Sequence, residues 1–122
     1  VLAEKMKREN FLSFLSIYFF RPQHRKAVIG FRDNRISGII VGHRDSLYPD
    51  LIVIQYFFTL RLEDAESLLE GFIYHCSVDG YRWVGLRLPI KGLCEHYLRK
   101  KGWREANLPS FWTRYRMLKE LR

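Results

Sequence analysis

What this sequence lacks narrows its class before any motif is weighed. No apolar run reaches the ~18 residues that a membrane-crossing helix needs. The nearest, residues 11–20, is interrupted by Ser13 and Ser16. No small-residue cleavage pattern follows it, so it does not read as a signal peptide. There are only two cysteines, Cys76 and Cys94, too few for a disulfide framework and wrongly spaced for zinc. Both are expected on the apolar side of helices as small hydrophobes, which fits a reducing, cytoplasmic setting. The histidines, His24, His43, His75 and His96, are dispersed and show no metal-ligand spacing. A nucleophile elbow, a Walker loop and a dinucleotide fingerprint are all missing, as are repeats and low-complexity segments.

What is present is a globular composition, 48% hydrophobic and 16% aromatic over 122 residues. That length suits one domain. Basic residues outnumber acidic ones, giving a net charge of +8. Such a surface attracts anions: nucleic acid, an acidic protein or a polyphosphate cofactor. The charge concentrates at residues 21–26 and 99–104. The chain begins at Val1 without a methionine, and the expectation is a processed chain or a piece cut from a longer protein.

Residues 2–20 read first as helix, although the apolar second half (FLSFLSIYFF) suits helix or strand equally. Arg21-Pro22 ends that segment. Residues 26–32 and 36–43 read as strands joined by Asp33-Asn34, residue types that tolerate positive φ in a tight hairpin. Residues 51–58 (LIVIQYFF) are almost continuously apolar and suit a central strand buried on both faces. From 63 to 78, Ala65, Leu68, Leu69, Phe72 and Cys76 form a helical stripe. Glu63 and Asp64 are expected to cap its start, and Asp79-Gly80 stops it. Residues 82–88 read as strand. Residues 91–101 read as helix with Leu93, Tyr97 and Leu98 inward and Gly102 as its stop. A short strand is expected at 103–106. Residues 111–117 alternate like a half-buried strand. Strands interleaved with helices imply an α+β domain with helices packed on a mixed sheet.

The stretch VGLRLPIKGLCEHYLRKKGW at residues 84–103, ending Lys100-Lys101-Gly102-Trp103, resembles the last third of the GNAT acetyltransferase superfamily. The similarity runs over residues 26–118. It implies a three-layer, mostly antiparallel GNAT-like sheet flanked by helices, with the family's first strand and first helix lacking. It also implies acetyl-CoA as cofactor and an amine on a small molecule or protein as acceptor. By this resemblance the strand at 51–58 offers backbone amides to the pantetheine arm near Phe57, Phe58 and Thr59. The pyrophosphate loop falls on residues 60–65. There Ala65 matches the small final position, Arg61 stands one residue late, and Glu63 replaces the expected glycine. A glycine lets backbone approach phosphate closely, whereas a carboxylate repels it. Lys91 takes the position of the family's asparagine. Leu98 takes that of its tyrosine acid, with Tyr97 adjacent but about 100° around the helix. His43, at a strand end, is the candidate base, with an ordinary pKa of ~6.5.

Two functions follow as expectations. One is a divergent N-acyltransferase-like domain. The other is a non-catalytic GNAT-like module binding a protein or nucleic acid. In the second, Trp112-Thr113-Arg114-Tyr115-Arg116 would stack on bases and contact phosphates. A membrane partner is not expected.

Overall fold

A computed structural model describes residues 13–17, 24–87, 89–105 and 117–121. They form one seven-stranded sheet in the order β1-β2-β3-β4-β5-β7-β6. The strands are β1 (Ser13–Ile17), β2 (Arg25–Arg32), β3 (Arg35–Arg44), β4 (Leu51–Thr59), β5 (Trp83–Leu86), β6 (Arg104–Glu105) and β7 (Met117–Glu120). Every neighbouring pair is antiparallel except β4 and β5. A 3₁₀ turn at Leu62–Asp64 leads into helix α1 (Ala65–Val78), which connects those two parallel strands. Helix α2 (Glu95–Lys100) follows β5. Among the described residues no helix is long and apolar enough to cross a membrane.

Local chemistry explains most of these elements. Asp33 and Asn34 both take positive φ, 53° and 63°, as a two-residue hairpin turn requires, and their short polar side chains tolerate that region. The stripe Ala65, Leu68, Leu69, Phe72 and Cys76 is fully buried. It packs on Val28, Ile40, Ile52, Ile54, Val84 and Leu86 of the sheet, with Leu98 and Trp103 completing the cluster. Gly42 lies directly under this helix: a Cβ there would come within 2.6 Å of the Phe72 ring. Gly80 and Gly102 end α1 and α2 with positive φ, 91° and 95°. A smaller cluster, Leu51 and Val53 with Tyr48, Trp83 and Leu118, forms separately. The buried Lys26 ammonium pairs with Asp79 just beyond α1, tying β2 to the end of that helix.

Several expectations change. Residues 13–17 are strand, not helix: they pair antiparallel with β2 from Ser13↔Phe31 to Ile17↔Ala27. An apolar run that suits either state takes the one that tertiary pairing offers. Strand β4 is buried on both faces only over its first four residues; beyond them burial is partial. Helix α2 starts four residues later than expected, at Glu95. Cys94 is exposed rather than apolar-facing, and its sulfur accepts the Tyr97 N–H at 3.4 Å as an N-cap. The thiol of Cys76 is buried, and burial pushes its pKa up. The alternating segment at 111–117 lies outside the described residues apart from Met117, so its Trp112 and arginines do too.

Candidate functional site

The parallel pair β4 and β5 stays together only from Leu51↔Trp83 to Ile54↔Leu86. After Leu86 the chain runs to Pro89, which cannot donate to a ladder. Strand β4 continues for five more residues, where among the described residues it pairs with β3 alone. The register places Val41 opposite Tyr56 and Gly42 opposite Ile54, so Gln55 is an extra, bulged residue at the point of divergence. A fork opens there between the two strands.

Peptide groups alternate along a strand, so their direction beyond the bulge follows from two contacts. The Leu60 N–H donates to the Ser37 carbonyl at 2.8 Å. The Phe58 carbonyl lies 2.6 Å from where a Gly38 Cβ would sit. The Phe58 peptide therefore addresses β3. Those of Phe57 and Thr59 address the opening, where no described strand pairs with them. Of the three residues expected to offer amides, the geometry turns Phe57 and Thr59 outward and Phe58 away. The Thr59 methyl and Leu68 lie against Gly38 on the helix side, while the rings of Tyr56 and Phe58 are about half exposed.

The turn after β4 brings further candidates to the same end. Arg61 and Glu63 are exposed and 3.6 Å apart. Ala65 is buried. A Cβ on Gly92 would fall 2.8 Å from both the Ala65 Cβ and the Leu62 carbonyl oxygen, and Gly92 has φ +89°. Only glycine suits both conditions. Its contact seats the exposed Lys91 beside the start of α1. Arg61, Ala65 and Lys91 thus gather where Phe57 and Thr59 emerge.

Asp64 does not cap α1. Its side chain makes no cap hydrogen bond and turns toward the hairpin end of β2 and β3. It accepts from Ser37 Oγ at 2.5 Å and from Arg32 through Nε at 3.3 Å, with a second bond from Arg32 Nη2. Burial pushes the Asp64 carboxyl up, but the Arg32 and Ser37 hydrogen bonds and the charges of Arg32 and Arg61 outweigh it and hold its pKa below the ordinary range. No local sequence signal marks this trio. Ser37 is the bulged residue between Gly38, paired with Gly30, and Ile36, paired with Phe31. The 3₁₀ turn also has a chemical consequence. The amides of Asp64 and Ala65 already donate to the carbonyls of Arg61 and Leu62. Fewer amides at this helix start are left for an anion.

No protein-family model matches this chain, and no curated protein matches its sequence. Solved structures do match its fold. An acetyltransferase of the GNAT family from Staphylococcus aureus Mu50 superposes with a TM-score of 0.62 at 15% identity, over 98% of this chain and 75% of that one. The ribosomal-protein-S18-alanine N-acetyltransferase from Escherichia coli gives 0.62 at 11% identity, over 91% and 94%. The PaiA N-acetyltransferase from Thermoplasma acidophilum, in complex with coenzyme A, gives 0.57 at 12% identity, over 80% of this chain and 61% of that one. The chain has the GNAT acetyltransferase fold.

Within that GNAT fold the two expected catalytic residues sit apart. Tyr97 bridges the helices: its hydroxyl donates to Glu70 Oε1 of α1 at 2.8 Å, and the Lys101 ammonium lies 5.9 Å from its ring centre. Burial and then the Glu70 carboxylate push its pKa up, so the phenol keeps its proton. His43 pairs in register with Val53, at the closed end of the fork. Thr59 lies six positions beyond Val53 on β4, roughly 20 Å along a strand. His43 instead lines a cleft with His24, Arg25 and Arg44.

Proposed function

We propose that this domain is a divergent N-acyltransferase that seats the pantetheine arm of an acyl-CoA, acetyl-CoA foremost, in the fork beside β4. The observation that carries this reading is the pair of outward peptide groups at Phe57 and Thr59. An extended ligand with amide groups adds to such an edge as a strand would. Arg61 and Lys91 supply positive charge to phosphates at the mouth of the fork. That charge stands in for loop amides consumed by the 3₁₀ turn. When bound, an acyl-CoA supplies an activated acyl thioester for attack by an amine on a small molecule or protein. Tyr97 holds its proton toward Glu70, so it fixes α2 against α1 and donates elsewhere only by exchanging that bond. The GNAT fold of N-acetyltransferases such as the S18-alanine enzyme supports the reaction class.

The same turn favours a second reading, a GNAT-fold module that binds a protein or nucleic acid without transferring an acyl group. Its support is Glu63, exposed where a phosphate-binding glycine would stand. Calorimetric titration of coenzyme A and of pantetheine separates the two readings. The first expects micromolar binding of coenzyme A, weakened about tenfold by Arg61→Glu, with pantetheine binding unaffected by that change. No heat up to about millimolar ligand favours the second.

A further inference from the structure

Helix α1 covers one face of the sheet, the face of Val28, Ile40 and Phe57. The register defines the other face of β1 to β4. Leu15, Ile29, Ile39 and Phe58 stand opposite one another in a rung that crosses all four strands. Ile17, Ala27, Val41 and Tyr56 form the neighbouring rung. Phe31 opposite Ile36 extends the face toward the hairpin. None of these residues is charged. Toward the closed end, the first charge on this face comes at Arg25, opposite His43.

A solvated face of an antiparallel sheet normally carries the polar half of the alternation. This face does not. Leu15, Ile36, Tyr56 and Phe58 are 51%, 56%, 54% and 48% exposed, and Ile29, Ile39 and Val41 between them are partly so. Area and charge select what covers it. An aromatic side chain holds about 150–250 Å², so the two half-exposed rings alone leave roughly 200 Å² bare. With the aliphatic side chains the face offers on the order of 500 Å² of apolar surface, and a standard interface buries ~800 Å² per partner, roughly 60% of it apolar. The net charge of +8 sets two copies repelling each other at close range. A face without charge is where they meet at least cost. An acidic partner would find nothing to pair with there.

We propose that this face is the interface of a homodimer, two copies packed sheet against sheet about a two-fold axis. Such pairing sets one patch against itself, and the side chains of both layers fill the ~10 Å between stacked sheets. Tyr56 and Phe58 belong to the residue types enriched at interfaces. The dimer stands whether or not the fork holds an acyl-CoA, because the fork uses peptide groups in the plane of the sheet and the dimer uses side chains on its face.

The test is sedimentation equilibrium of the full chain from about 1 to 500 μM, with a dimer of Kd in the tens of micromolar or tighter expected. Tyr56→Lys brings an ammonium from each copy into the apolar interface and is expected to weaken dimerisation at least about tenfold. Tyr74→Lys, at a ring 65% exposed on α1, leaves it unchanged. Isotope-filtered NMR of mixed labelled and unlabelled copies of the unaltered chain should show contacts between copies at the methyls of Leu15, Ile29 and Ile39. A monomer throughout the range overturns the proposal, whether the face is then bare or covered by another segment of the chain. So does an equal loss in Tyr74→Lys, or contacts between copies confined to other surfaces. The contacts are read on the unaltered chain, so they decide the matter even if Tyr56→Lys fails to fold.

Discussion

The two halves of β4 are one strand under two regimes. From Leu51 to Ile54 it has a partner on each side and is buried on both faces. From Tyr56 to Thr59 it has, among the described residues, a partner on one side only, and its rings reach solvent. A single bulged residue, Gln55, divides them. The comparison teaches how a small domain separates stability from binding. The closed half holds the core, and the open half keeps peptide groups that no described strand pairs with, because β5 has ended. The open half would fray without support. That support comes from behind, through Ser37 and Arg32 gripping Asp64 at the next turn.

The largest effect should come from removing that grip. Asp64→Ala takes from the partly buried Arg32 guanidinium its carboxylate partner, and breaking a buried pair typically costs about 3–5 kcal/mol. Urea unfolding measures it; a loss under about 1 kcal/mol would show that the open half holds itself. The same carboxylate sets an acid limit. Its folded pKa is depressed, so its contribution is present above the unfolded value of about 4 and is lost as pH falls through the folded one. Asp64→Asn should flatten that part of the acid unfolding curve.

Next in size is the contrast between the halves themselves. Ile54→Ala opens a cavity against α1 and is expected to cost about 3 kcal/mol. Phe58→Ala, on a ring 48% exposed, should cost no more than about 1 kcal/mol. Equal costs measured by chemical denaturation would dissolve the division at Gln55.

How much of this was legible in the sequence depended on the range of the interaction. The hairpin at Asp33-Asn34, the stripe on α1 and the glycine stops are set by neighbours within a few residues, and each stands where local chemistry puts it. The open end of β4 was legible as a place. Which peptide groups face outward was not, because that depends on a bulge defined against β3. Asp64 read as a helix cap because acids favour that position. It left the role because Arg32 and Ser37, 32 and 27 residues away, offered a charged partner and a hydroxyl. Cys94 became the cap of α2 for a related reason: the helix starts late, and the preceding Gly92 is drawn against Ala65 and Leu62. His43 was readable as a strand-end histidine, but its company, Arg25 across the ladder and Arg44 beside it, required the register.

The smallest effect tests whether the helices at the open end are joined through Tyr97. Removing its hydroxyl, in Tyr97→Phe, takes away one hydrogen bond to Glu70 and should cost about 0.5–1.5 kcal/mol near neutrality. The pH dependence tests whether the hydroxyl occupies this desolvated place facing the Glu70 carboxylate. The folded pKa of Tyr97 is raised above its unfolded value of about 10. Its contribution is therefore complete below that value and is lost as pH rises toward the folded one. Thermal or urea unfolding of both proteins from about pH 7 to 11 should show a constant difference up to about pH 10 and a shrinking one above it. A difference that stays flat to the top of the range would mean that the phenol is neither desolvated nor bonded to Glu70. Glu70 would then have to be balanced by a group other than the Tyr97 hydroxyl.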